Sequence, residues 1–306
     1  IAGGFGEAGE EGRALQAQIA DIARRTGVRL IGPNTSGMMN VHSHLNLVGL
    51  PDVPPGDLAL LSQSGNMALA LITEAAQETG LGFSYYVGVG NEADLHFHEH
   101  LAFLRDDPAT AAVLLYVEGM HDGRSFLAEA ARTTRIKPVV LLKSGRSEIG
   151  RSAAGSHSGS LAGSSEVARA ALTRAGVVVV ERTDELLAVA QALSGQPSIA
   201  GNNVAILADG GGHATIAADA LTDLGVTMDP LAETTQAKLA AILPATARVS
   251  NPVDVAGGTD ANPALFADCA RIMLEDEGVG GVLVVGLFGG YGIRFASSLA
   301  RGEEQA

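Results

Sequence analysis

Short runs of valine, leucine and isoleucine recur along this chain, and between them lie alanine-rich stretches with helical spacing. A strand that is apolar along its whole length, not only at alternate residues, has to be covered on both faces. That requires parallel strands joined by crossover helices. Runs over 58–61, 82–89, 112–117, 138–143 and 177–180 read as strands, and 67–79, 94–105, 125–133, 161–175 and 184–193 as helices. With right-handed crossovers the expectation is an α/β fold with a doubly wound parallel sheet.

The pattern is interrupted in two places. A Pro/Gly-bearing connector at 50–56 and a second turn-rich stretch at 195–203 read as boundaries, in keeping with a 306-residue chain that is long for one domain. Ahead of the first boundary, a helix over 10–26 with Leu15, Ile19 and Ile22 on one face, a strand over 28–31 and a turn-rich loop at 32–37 read as the tail of a βαβ unit. Beyond the second, a strand over 204–208, the glycines 210–212, a helix to about Leu224 and a strand over 282–285 repeat the strand–turn–helix pattern, which suggests tandem sheets. Both ends of the sequence read as cuts through domains of a longer polypeptide.

The formal net charge of −14 gives no basic stripe to neutralise phosphates, so a nucleic-acid or anionic-membrane partner is not expected. Phosphorylated ligands stay open, because backbone amides at helix N-termini bind them without lysine or arginine. The single cysteine, Cys269, cannot form an internal disulfide and fits a reducing cytoplasm. No apolar run of about 18 residues and no signal peptide are legible.

In open parallel sheets, ligands bind at the carboxyl ends of strands. Four polar features fall there: Ser62-Gln63-Ser64-Gly65, Gly90-Asn91, Glu118-Gly119 and the long loop that ends Ser156-His-Ser-Gly-Ser160. His157 precedes an expected helix N-terminus, where free amides from Gly159 onward and the helix dipole favour an anion attached to its ring. A neutral imidazole near pH 7 is a competent nucleophile for a phosphoryl group. Glu118, ending a neighbouring strand, could fix the imidazole tautomer; a helix cap or solvated turn residue is the plain alternative. His157 alone would likewise read as an ordinary loop histidine. His96 and His100 stand one helical turn apart, a spacing that can bind metal, but His98 would then point away, and no metal site is expected. Asp254 could cap a turn after Pro252 or line a pocket.

The stretch Ser156-His-Ser-Gly-Ser-Leu-Ala-Gly163 resembles the phosphohistidine loop of the ADP-forming (NDP-forming) acyl-CoA synthetases and, more distantly, of the succinyl-CoA synthetase alpha subunit. Ile31-Gly-Pro-Asn-Thr-Ser-Gly37, Leu61-Ser-Gln-Ser-Gly-Asn66, Gly88-Val-Gly-Asn-Glu-Ala-Asp94, Tyr116-Val-Glu-Gly119, Lys143-Ser-Gly-Arg146 and Asn251-Pro-Val-Asp254 are similar to family blocks, in family order. The resemblance implies three parts: residues 1–50 as the end of a Rossmann-like CoA-binding domain, 56–195 as a flavodoxin-like ligase domain, and 200–306 as a second, truncated one.

It also implies the site. His157 would carry the phosphoryl group with Glu118 as its partner. Ser62, Gln63, Ser64, Gly65, Asn91, Gly159 and Ser160 would hold phosphate or acyl phosphate, Asn34 and Thr35 would lie on the CoA side, and Gly210, Gly211 and Gly212 would open a second anion-stabilising helix. CoA, ATP or ADP with Mg, and an acyl or acyl-phosphate substrate are the implied ligands. An ATP-grasp domain or subunit and an oligomeric assembly are the implied partners. Asn34-Thr35 stands where succinyl-CoA synthetases carry Asn-Cys, so no role passes to that thiol, and Ser158 replaces the commoner threonine. No ATP-grasp region is legible, so residues 1–306 alone are expected to be inactive. A second reading, the CoA-sensing regulatory region of a protein lysine acetyltransferase, is disfavoured by His157, which such fusions often lack.

Overall fold

The computed structural model describes residues 2–50, 53–79, 81–150, 165–197, 199, 201–258 and 262–286. The chain divides into two compact units, Ile1–Pro197 and Ser198–Ala306.

In the first unit, α1 (Glu10–Thr26) is followed by β1 (Met38–Asn40), β2 (Leu45–Asn46), β3 (Pro55–Ser62), α2 (Gly65–Glu74), β4 (Phe83–Gly88), α3 (Phe97–Asp106), β5 (Ala112–Val117), α4 (Gly123–Thr133), β6 (Val139–Lys143), α5 (Ser165–Arg174), β7 (Val178–Val180) and α6 (Thr183–Gly195). The sheet runs β2-β1-β4-β3-β5-β6-β7, with β4 to β7 parallel and the β1–β2 and β1–β4 pairings antiparallel.

Alternate residues of each inner strand feed opposite cores. Leu58, Leu60, Leu114 and Val140 pack with α2 and α6, while Leu61, Val113, Leu115 and Leu141 pack with α3, α4 and α5. This two-sided burial is why the strands are apolar throughout. Each such leucine contributes about 1.5–3 kcal/mol, and together they pin the carboxyl ends of β3, β4 and β5 side by side.

The expected strand over 28–31 does not form. The Leu30 amide donates to the Asp94 carboxylate at 2.7 Å and its carbonyl accepts from Leu95, so this segment hooks onto the turn after β4 instead of joining a ladder. Strands β1 and β2 extend the sheet edge at residues that carry no period-two signal. Helix α2 begins at Gly65, and after Glu74 its last turn widens into a π-helical segment, Ala75–Thr79.

The second unit contains β8 (Val204–Ala208), α7 (Gly211–Asp223), α8 (Glu233–Ile242), β9 (Val253–Asp254), α9 (Leu265–Leu274) and β10 (Gly281–Val285), with parallel strands in the order β10-β8-β9. Cys269 is buried against Leu207, Leu239 and Val253, and burial raises its thiol pKa to about 11. No described helix is long and apolar enough to cross a membrane.

Candidate functional site

The apolar run of β3 ends at Ser62, which is 1% exposed. Its hydroxyl donates to the Ser64 carbonyl at 2.7 Å and accepts from the Ser64 amide at 3.1 Å, folding the loop back on itself. Ser64 then caps α2, its hydroxyl accepting from the Met67 amide at 3.3 Å. The first-turn amides of α2, which have no partner within the helix, are thereby set at the carboxyl end of the central strand, where the helix dipole favours an anion. A glycine is needed at 65 because a Cβ there would lie 2.9 Å from the Ser36 Cβ. Ser36 is in turn hydrogen-bonded to the Tyr86 hydroxyl.

Gln63 points the other way. Its side-chain oxygen accepts from the amides of Glu118 (2.5 Å) and Gly119 (3.1 Å). Its side-chain nitrogen donates to the Gly119 carbonyl (2.8 Å) and to the Glu92 carboxylate (2.7 Å). Its backbone amide donates to the Tyr116 carbonyl. Every donor of Gln63 is therefore directed at the protein, and the side chain braces β3 against β5.

Glu118, 8% exposed, is held at the end of β5 by that brace. On the opposite side the Lys143 ammonium donates to the Glu118 carbonyl (2.5 Å) and the Ser144 carbonyl (2.8 Å). Burial lowers the Lys143 pKa while the Glu118 charge works against that shift; the Tyr116 phenol is pushed up, mainly by burial. A buried carboxylate, a capped helix N-terminus and a half-buried lysine thus converge at the ends of β3, β5 and β6. Such a set binds an anion and can hold a basic group in a fixed tautomer.

Asn91 is likewise engaged within the protein. Its side-chain nitrogen donates to Glu7 (2.6 Å) and Gln16 (2.9 Å), its oxygen accepts from Asn34 (3.2 Å), and its backbone amide donates to the Pro33 carbonyl. Asn91 thereby ties the N-terminal segment to the turn after β4. The Thr35 hydroxyl donates to the Gly88 carbonyl and accepts from the Gly37 amide at 3.0 Å, which fixes the loop that carries Asn34. At Gly90, a left-handed φ of 58° and a Pro33 carbonyl 2.2 Å from any added Cβ exclude other residues. His157, Gly159 and Ser160 lie outside the described residues.

In the second unit the glycine triplet opens a helix as expected, although α7 starts at Gly211 with Gly210 extended at its N-cap. Asp209 and His213 are joined at 2.9 Å. One Asp254 oxygen accepts from the Ala256 amide at 2.9 Å, which makes the turn-capping alternative correct.

No group of three or more potential metal ligands occurs among the described residues. His96 is the N-cap of α3, its carbonyl accepting from the Glu99 and His100 amides, and His98 stacks on it with ring centroids 5.8 Å apart, so His98 does not point away. His96 Nδ1 lies 3.6 Å from Glu92, which raises the His96 pKa, whereas burial lowers that of His100.

Comparison with known proteins decides what this geometry belongs to. A family profile described as succinyl-CoA ligase like flavodoxin domain matches residues 55–193. The alpha subunit of the ADP-forming acetate–CoA ligase II of Pyrococcus furiosus is 40% identical over 282 residues, covering 91% of this chain and 60% of that subunit. The chain belongs to the ADP-forming acyl-CoA synthetase family.

A second ligase relative, the ADP-forming acetate–CoA ligase I of Archaeoglobus fulgidus, is 41% identical across 93% of the chain, which covers 41% of that protein. Among solved structures, the acetyl-coenzyme A synthetase 1 of Ca. Korarchaeum cryptofilum, in complex with phosphate and ADP, superposes with a TM-score of 0.87 at 31% identity, covering 93% of this chain and 61% of that one. The chain thus spans about 60% or less of the length of these synthetases.

One residue of this strand-end cluster was not foreseen. Glu92 is 4% exposed in a left-handed conformation, φ 52°, directly behind Gln63. A glutamate in a Gly-Asn-Glu turn gives no sequence signal of burial.

Proposed function

We propose that this chain is the phosphohistidine-bearing part of an ADP-forming acyl-CoA ligase, an enzyme that forms a carbon–sulfur bond. The observation that carries the reading is the convergence of buried Glu118 with the capped N-terminus of α2 at one sheet edge, in a chain homologous to such ligases.

In the proposed sequence, a phosphate oxygen attacks the thioester carbonyl of acyl-CoA and expels CoA thiolate, leaving acyl phosphate. A His157 ring nitrogen then attacks the phosphorus and the carboxylate departs. Phosphohistidine finally passes its phosphoryl group to ADP, and every step is reversible. Splitting the transfer in two lets distant acyl and nucleotide sites exchange one group. Ser62, Ser64 and Gly65, with Gly159 and Ser160, would bind phosphate or acyl phosphate through amides and hydroxyls. Glu118 would accept the proton on the second ring nitrogen of His157. Asn34 and Thr35 would face CoA, and Gly210, Gly211 and Gly212 would supply a second helix N-terminus.

Under this reading residues 1–50 close a Rossmann-like CoA-binding domain, 56–195 form the phosphohistidine domain, and 200–306 belong to a second flavodoxin-like domain. Nucleotide and Mg²⁺ would be bound by an ATP-grasp domain or partner subunit, within an oligomer in the cytoplasm. The acetyltransferase-regulator reading draws no support from relatives named as ligases.

The test is to incubate the full-length protein with ATP and magnesium and to map any acid-labile, base-stable phosphate by mass spectrometry. The proposal expects it on His157. Label on a serine, or on another histidine, overturns it.

A further inference from the structure

We infer that Glu92 is a positioning residue for the Glu118 end of the site, acting through the side-chain amide of Gln63. Its functional consequence rests on the ligase reading above; its structural content does not.

The Gln63 amide makes four bonds that all depend on which way round it sits. With its nitrogen toward Glu92 and the Gly119 carbonyl, and its oxygen toward the Glu118 and Gly119 amides, every contact pairs a donor with an acceptor. Turned over, its oxygen would face a carboxylate and a carbonyl, and its N–H groups would face two N–H groups. The Glu92 carboxylate can only accept, so it selects the first arrangement by a charge-assisted bond.

Glu92 is itself held. Its second oxygen accepts from the Phe97 amide at 3.2 Å and lies 3.6 Å from His96 Nδ1. Phe97 is the first residue of α3, so the helix N-terminus steadies the buried negative charge. The result is a relay across three strand ends: from the N-terminus of α3 to Glu92, to Gln63 at the end of β3, and to the backbone of Glu118 and Gly119 at the end of β5. The Glu118 carboxylate hangs from the backbone this relay fixes. Glu92 reaches the Glu118 and Gly119 backbone through the Gln63 amide.

The experiment uses full-length protein and an amide-for-carboxylate swap. Glu92→Gln leaves one N–H facing either Gln63 or Phe97, and Gln63→Glu sets two carboxylates against each other. Each single change is expected to speed hydrogen exchange of the Glu118 and Gly119 amides about tenfold or more. Each should also slow labelling of His157 by about tenfold without changing the KM for ATP. The double variant Glu92→Gln/Gln63→Glu restores a donor opposite an acceptor between residues 63 and 92, with only the Gly119 carbonyl still facing an oxygen, and should recover part of both losses. A merely structural role predicts losses that multiply in the double variant.

Wild-type exchange at residues 118 and 119 in Glu92→Gln, or a double variant worse than either single one, overturns the inference. If the parent protein takes no label on His157 while exchange still rises and is rescued as described, the ligase reading fails and the positioning role stands.

Discussion

Two strand-to-helix junctions in this molecule are built from the same plan and held by opposite means. In the first unit, Ser62-Gln63-Ser64-Gly65 leads from β3 into α2, with two serine hydroxyls and one glutamine amide bonded to the loop, the helix and the neighbouring strand. In the second, Asp209-Gly210-Gly211-Gly212 leads from β8 into α7 with no side-chain cap. The first junction is organised before any ligand arrives, so its amides keep their aim through the chemistry. The second has open space around Gly210 and Gly212, with the Asp209–His213 pair beside its first turn. A close anion can approach it, but few side-chain contacts fix its shape.

Substitutions should separate the two. The largest effect is expected for Gln63→Leu, which leaves Glu92 and the Glu118–Gly119 backbone short of partners in a buried setting. Chemical denaturation should show a loss of roughly 2–4 kcal/mol. Gly65→Ala should follow at roughly 1–2 kcal/mol, since its methyl meets Ser36 at 2.9 Å. Ser64→Ala removes the α2 cap and should cost about 1 kcal/mol in the same assay. Gly212→Ala should be the mildest change and of opposite sign, because nothing lies within 4 Å and alanine favours a helix by up to about 1 kcal/mol. A destabilised Gly212→Ala, or a harmless Gly65→Ala, would break the contrast between the junctions.

The inner strands were legible because β3 from Leu58 onward, β5 and β6 are buried on both faces and are apolar until their carboxyl ends. The edge strands β1 and β2 were not, since a three-residue and a two-residue strand offer no period to read. The segment at 28–31 looked like a strand by its residues, but the Asp94 carboxylate captures its backbone from a loop far away in sequence. For the site, strand-end position points to Ser62, Ser64, Gly65 and Glu118, which the fold brings together at the ends of β3 and β5. It does not reveal the inward hydrogen bonds of Gln63 and Asn91 or the burial of Glu92. Those hydrogen bonds join residues 29 to 84 positions apart, which no local pattern encodes.

The most direct test of the account is the rate at which His157 is phosphorylated in full-length Glu118→Gln. Glutamine keeps the shape of Glu118 but removes the charge that would fix one imidazole tautomer and steady the developing imidazolium. The rate should fall roughly ten- to a hundredfold, as expected for losing a charged hydrogen bond of about 1.5–3 kcal/mol. The thermal unfolding midpoint should stay close to that of the parent. Adding the substitution to an inactive His157→Ala should cost nothing further. Phosphorylation at the parent rate in Glu118→Gln would contradict the account, leaving Glu118 as a braced turn residue with no part in the transfer.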